Sequence, residues 1–204
     1  MKKIRLYILL TLCFLSTQTI FAGEKADNGT KELPKLSSQL WKNAHINFRV
    51  KKNDDYRWRN FAIGTGYGHS IESVPDLSWQ INMDYNWNKY TLYPTGSYDV
   101  PKKTILKTGS LSFPATLEYS IYQNFFTGIN VYMGPVYELI LFTSTKNQVD
   151  LRSEVARSQF GWIVGTRFRF LAIFSLRLSY SYYPTSVFKN GDLNRSAVMF
   201  SLGF

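Results

Sequence analysis

From about Trp58 onward, bulky apolar residues and small polar ones take turns at every second position, which is the period of a β-strand. Leu77, Trp79, Ile81, Met83, Tyr85 and Trp87 interleave with Ser78, Gln80, Asn82, Asp84 and Asn86. Phe174, Leu176, Leu178, Tyr180 and Tyr182 interleave with Ser175, Arg177, Ser179 and Ser181. Between them, Phe160, Trp162, Val164, Phe168 and Phe170 stand against Gly161, Gly165, Arg167 and Arg169. Segments with this character cover 59–69, 77–87, 89–98, 109–121, 124–141, 159–170, 173–183 and 196–204. The connections alternate in length. Those near Asn88, Tyr122-Gln123 and Leu171-Ala172 are short, whereas Ser70 to Asp76, Asp99 to Thr108, Phe142 to Ser158 and Pro184 to Arg195 are longer.

The make-up of the two faces narrows the architecture. A solvated sheet face is usually rich in Lys and Glu, but here the polar face is mostly Ser, Thr, Gly and Asn, with a few arginines and acids. The other face is crowded with Trp, Tyr, Phe and Leu, and no helical segment is available to cover it. A closed sheet with small polar residues inside and lipid outside satisfies both faces, and closure pairs every backbone N–H and C=O. The expectation is an all-β, eight-stranded, antiparallel up-and-down transmembrane barrel, with both termini in the periplasm and the longer connections outside. Gly64, Gly66 and Gly68 share the inward face of the first segment and leave room for bulkier neighbours. Pro114 and Pro135 cannot donate to a ladder and predict local bulges.

Composition adds a leader and removes several functions. Aromatic residues make up 17% of the chain and charged residues 19%, a balance suited to a surface that is not wholly in water. Residues 1–22 read as a signal peptide: Lys2, Lys3 and Arg5 form its basic start, Leu6 to Leu15 its apolar core, and Ile20-Phe21-Ala22 its cleavage site. Cys13, the one cysteine, lies inside that core between Leu12 and Phe14, where a lipoprotein signal would have small residues before it. Without it, disulfides are excluded, and a metal site would rest on His45, His69 and carboxylates alone; neither a metal nor a cofactor is expected. Residues 23–57 are polar and mixed in charge and read as a periplasmic extension, with Ile46 to Val50 as a possible short strand; the barrel then occupies 58–204. The leader takes three basic residues from a formal net charge of +10, and what remains carries no basic block or nucleic-acid motif. No later apolar run reaches the roughly 18 residues of a membrane helix.

Val198, Phe200, Leu202 and Phe204 stand at alternate positions and end on an aromatic residue. This pattern resembles the C-terminal recognition signal of bacterial outer-membrane proteins, which implies insertion by the outer-membrane assembly machinery into outer-membrane lipid. Tyr90-Thr91-Leu92-Tyr93-Pro94, Leu111 to Tyr119, and Val131-Tyr132-Met133-Gly134-Pro135 resemble strand motifs of the PorT-like outer-membrane barrel family of Bacteroidetes. The resemblance covers roughly 58–204 and implies a structural barrel of the Gram-negative envelope.

Candidate chemistry is sparse. An eight-stranded barrel has an interior that side chains fill, which disfavours a wide channel. His69, Ser70 and Glu72 have the residue types of an acyl-transfer site. Alternation, however, sends His69 and Ser70 to opposite faces, and an interfacial histidine beside a solvated loop accounts for them. Asp84, Glu118, Arg167, Arg169 and Arg177 fall on the inward face in the periplasmic half. Charges of both signs at one depth predict a lumen network, with Glu118 or Asp84 contacting at least one arginine. Trp79, Tyr85, Trp87, Tyr119, Trp162 and Tyr182 read as interfacial belts rather than sugar platforms. Lys102, Lys103 and Lys107 read as a solvated charge run rather than a phosphate site. The function expected is non-enzymatic: an envelope-structural, adhesion or accessory role through the outer loops or the periplasmic extension. The rival is a lipid-modifying enzyme, a lipid A or phospholipid deacylase. The expected product of this chain is an outer-membrane protein whose gel migration in detergent changes on boiling. Recovery of the mature chain as a soluble periplasmic protein is the contrary result.

Overall fold

A computed structural model describes residues 43–71, 73, 74, 76–94, 103–124, 126–146, 151, 154–170, 174–188 and 193–203. The expected signal peptide and most of the expected extension, with Glu72, Lys102 and Phe204, lie outside the described residues. Eight strands run β1 His45–Lys52, β2 Tyr56–Ser70, β3 Leu77–Leu92, β4 Thr104–Gln123, β5 Thr127–Lys146, β6 Ser158–Phe170, β7 Phe174–Tyr182 and β8 Ala197–Gly203. Each pairs antiparallel with its sequence neighbours, and β1 also pairs with β8, so the sheet closes into a barrel. No helix occurs among the described residues.

The strand count agrees with the sequence reading, but two of the boundaries do not. The barrel begins at His45 rather than Trp58: Ile46, Phe48 and Val50 face out while His45, Asn47 and Arg49 are buried inside. At the other correction, 77–87 and 89–98 are not two strands joined by a turn at Asn88. A single strand, β3, runs through Asn88, whose side chain is buried in the lumen. The apolar residues change faces at that point. Tyr85 and Trp87 point outward, whereas Tyr90 and Leu92 are wholly buried inside.

This inversion reflects how the barrel is filled. One end, here the terminal end, holds the start of β1, the finish of β8 and the connections 71–76, 124–126 and 171–173. The opposite loop end holds 53–55, 93–103, 147–157 and 183–196. The connection 71–76 therefore sits with the termini and not with the long loops, contrary to the sequence reading. At the loop end the lumen is apolar: Tyr56, Trp58, Tyr90, Leu92 and Leu106 from the strands pack with Leu151, Val155, Val187, Phe188 and Leu193 from the connections. Burying such side chains stabilises by roughly 1.5–3 kcal/mol each and holds the loop segments in the mouth.

The exterior is apolar over most of its height. Phe48, Ile63, Ile81, Met133, Trp162 and Val198, from six different strands, are 44, 50, 51, 60, 50 and 56% exposed. Exposure of this kind all around a cylinder far exceeds the patches that soluble monomers tolerate and fits hydrocarbon.

The prolines do not make the expected bulges. Pro114 stays in register opposite Val136 and Pro135 opposite Trp162, and the ladder is only interrupted beside them. The register shifts between β4 and β5 lie at Gly109/Ser110 and Ser120/Tyr122. At the first, the ring of Phe142 lies where a side chain on Gly109 would stand. Gly109→Val has to displace that ring, and we expect it to destabilise the barrel by about 1–3 kcal/mol, read from the denaturant midpoint in detergent micelles. An unchanged midpoint would show that the ring moves freely.

Candidate functional site

Alternation sends the polar residues of every strand into one narrow lumen, and two charge clusters form there. The deeper one lies under the apolar plug. Arg195, just before β8, donates from Nη2 to Glu138 Oε1 at 2.6 Å and from Nη1 to Gln159 Oε1 at 2.8 Å. Its guanidinium lies 5.4 Å from the Trp58 ring centre and 5.5 Å from that of Tyr183. Ser110 donates to Glu138 Oε1, and the Tyr183 hydroxyl donates to Oε2 at 3.2 Å. Neither charged side chain is exposed at all, so each depends on the other for its charge. Burial pushes the Tyr183 phenol up, and Glu138 adds to the effect. Burial alone would lower Arg195; Glu138, Tyr90 and Tyr183 outweigh it and hold the guanidinium above its usual range.

The second cluster spans the middle and the terminal end and contains the charges singled out in the sequence. Arg167 Nη1 meets Glu118 Oε2 at 3.0 Å, and its Nη2 donates to Gln80 Oε1. Asn130 donates to Glu118 Oε1. Asp84 pairs with His45, whose Nε2 is 2.8 Å from Oδ1 and whose Nδ1 is 2.7 Å from the Asn43 carbonyl oxygen. Gly64, opposite both Asp84 and His45 in the ladders, leaves room for this pair; a Cβ there would stand 2.6 Å from His45 Nε2. Arg177 is buried directly opposite Arg167 across β6 and β7. Arg169 lies at the rim, where it donates to Gln123 at 3.3 Å and meets no described carboxylate. A polar cavity of about 270 Å³ opens at this end, lined by His69, Ser70, Gln80, Glu118, Arg167 and Arg169 among others.

The acyl-transfer candidates do not assemble. His69 faces outward, paired with Trp79 on β3, and its Nδ1 lies 2.8 Å from the Ser70 carbonyl oxygen rather than the hydroxyl. Ser70 is exposed at the strand end, and Glu72 lies outside the described residues. Among the described residues no group of His, Cys, Asp and Glu has metal-binding geometry. Val198, Phe200 and Leu202 of the C-terminal pattern face outward on β8.

Sequence reasoning named His45 only as a possible metal ligand and did not single out Arg49, Glu138 or Arg195. His45 and Arg49 belong to the strand taken as an extension, although their alternation with Ile46, Phe48 and Val50 is visible. Glu138 was detectable as a lone carboxylate within Val136-Tyr137-Glu138-Leu139-Ile140-Leu141. Nothing local marks Arg195, because its partners come from β2, β3, β5, β6 and the segment after β7.

No protein-family model matches the chain, and no curated protein does. Among solved structures, the chain is similar to the outer membrane enzyme PagL at 11% identity and a TM-score of 0.45, over 78% of this chain and 96% of that one. It is similar to the Yersinia pestis outer membrane protein Ail at 17% identity and a TM-score of 0.36, over 79% and 97%. LpxR from Salmonella typhimurium follows at 10% identity and a TM-score of 0.34, over 81% and 90%. The closure of the barrel and its strand number are read from the chain's own ladders.

Glu138→Gln leaves the Arg195 charge buried with a neutral partner and is expected to destabilise the barrel by roughly 3–5 kcal/mol in urea unfolding. Replacing both residues together, Glu138→Leu with Arg195→Met, is expected to recover most of that loss. A single variant as stable as the wild type would show that water reaches the pair.

Proposed function

We propose that this chain is an integral outer-membrane barrel of the Gram-negative envelope, related to the PorT-like group, with both termini in the periplasm. Its role is non-enzymatic, as an envelope-structural, adhesion or accessory component that acts through its outer loops, its exterior or its periplasmic extension. The observation that carries this reading is the filled lumen. The apolar plug, the Arg195–Glu138 cluster and the Arg167–Glu118 cluster occupy successive depths of one narrow barrel. Such a lumen supports neither a wide channel nor a proton path. Outer placement of the loop end follows the tendency of such barrels to keep short turns in the periplasm and longer loops outside. The PorT-like relation rests on the quoted segments, which fall in β3, β4 and β5 and just after β3. On the catalytic side, His69 is turned from the Ser70 hydroxyl, so this pair does not supply an activated nucleophile for a deacylase.

Planar-bilayer recording tests the closed lumen, and a phospholipid and lipid A deacylation assay tests the absence of catalysis. We expect no steady conductance from the wild type, a leak in Arg195→Ala or Arg167→Ala, and no released fatty acid. Large steady wild-type conductance would overturn the plug, and deacylation lost in Ser70→Ala would overturn the non-enzymatic reading.

A further inference from the structure

The barrel exterior changes character sharply toward the loop end. Phe200, Phe48, Phe61 and Trp87 are successive cross-strand partners on β8, β1, β2 and β3. The ring centres of Phe48 and Phe61 are 5.4 Å apart, and those of Phe61 and Trp87 are 5.5 Å apart. The row continues to Gly109 on β4, which is covered by Phe142 of β5. A belt of aromatic rings on the outside of a barrel marks the membrane–water interface.

Two residues further along β2, β3 and β4, the cross-strand partners are Arg59, Lys89 and Lys107. All three are exposed and point outward, with Val50 and Ser144 beside them on β1 and β5. The next outward row contains Lys52, Arg57, Thr91, Ile105 and Lys146. Neither row has a carboxylate at an outward position, and Arg59, Lys89 and Lys107 form no ion pair with a described residue. At the terminal end, the outward positions of the described strands hold no Lys or Arg at all.

Neighbouring strands lie about 4.8 Å apart, so three cations occupy about 10 Å of one row. Like charges directly opposite one another on a sheet repel and destabilise the pairing. Their alignment just beyond the aromatic belt places the counter-charge at head-group depth, where long basic side chains reach while their stems stay in apolar surroundings. Lys107 is thus part of a strand row, not of a solvated loop run as its sequence neighbourhood suggested.

We propose that Arg59, Lys89 and Lys107 form a binding site for the phosphate groups of anionic membrane lipids at the loop end of the barrel. The site rests on the membrane-barrel reading and specifies which lipid chemistry that barrel gathers, and on which side. It recognises phosphate by charge and needs no pocket, because the bilayer holds the head groups at the height of the row.

The test uses the full mature chain in nanodiscs of phosphatidylcholine with a minority of phosphatidylglycerol, and measures by spin-labelled lipids which one associates with the barrel. We expect phosphatidylglycerol to be preferred by about threefold or more at low salt, and the preference to approach unity near 1 M salt. In the triple variant Arg59→Gln, Lys89→Gln, Lys107→Gln the preference is expected to disappear while insertion and heat-modifiable migration persist. Absence of preference in the wild type, or full preference in the triple variant, overturns the proposal. Loss of the preference on adding inorganic phosphate at constant ionic strength would reassign the row to soluble anions and overturn the lipid assignment. Should the triple variant not insert, the three single Gln variants carry the test, and an unchanged preference in all of them overturns it equally. Failure of the wild type to insert at all defeats the membrane-barrel reading, which separates that failure from the failure of the site.

Discussion

A sheet with an apolar exterior pairs its backbone amides between strands, and closure of this barrel extends that pairing to the strands that would otherwise be edges. Seven antiparallel ladders link sequence neighbours, and the eighth, from His45↔Gly203 to Arg49↔Met199, removes the two edges that would otherwise remain. Closure then decides which side chains are inside. Because alternate residues are forced into a lumen eight strands wide, the polar set must fill it with its hydrogen bonds completed or leave it wet. Asn60, Asn86, Asn88, Ser110 and Ser112 join across β2, β3 and β4 by side-chain hydrogen bonds, with Asn60 Oδ1 left without a partner.

The two charge clusters solve the same problem with different partners. Glu138 and Arg195 lie under an apolar plug with no exposure, held between aromatic rings. Glu118 and Arg167 border a polar cavity; Asn130 donates to Glu118 and Gln80 accepts from Arg167, while Arg167 Nε has no hydrogen-bond partner. Removing ions from water is costly unless geometry restores the lost contacts. The contact between segments distant in sequence, such as Arg195 just before β8 with Glu138 of β5, supplies that geometry only after the barrel has closed.

Much of this fold was legible because a two-residue period survives in every strand. Where it misled, the cause was a change in what lies inside. At Asn88 the lumen passes from polar to apolar, so Tyr90 and Leu92 read as the start of a new strand when they only fill the plug. In β1 the inward residues are His45, Asn47 and Arg49, and a short basic strand at the end of a polar stretch of mixed charge resembled a linker. Arg167 and Glu118 could be placed on one face by parity alone. The partners Arg195 and Glu138 could not be matched, because nothing in the sequence links a residue before β8 to the middle of β5. Exterior charges were equally hidden: the rows containing Arg59, Lys89 and Lys107 exist only once the register is known.

The closing ladder also has a kinetic meaning. Each of the other seven joins strands that follow one another in sequence, so the sheet can grow hairpin by hairpin with modest loop-closure entropy. The β1–β8 seam is different, since it brings together the two extremes of the barrel segment, and non-local contacts of that kind are the slow ones to form. Until it forms, β1 and β8 are both open edges, each a template for another chain. The interval before closure is therefore when this protein is most exposed to aggregation, and its length depends on two of the shortest strands in the barrel.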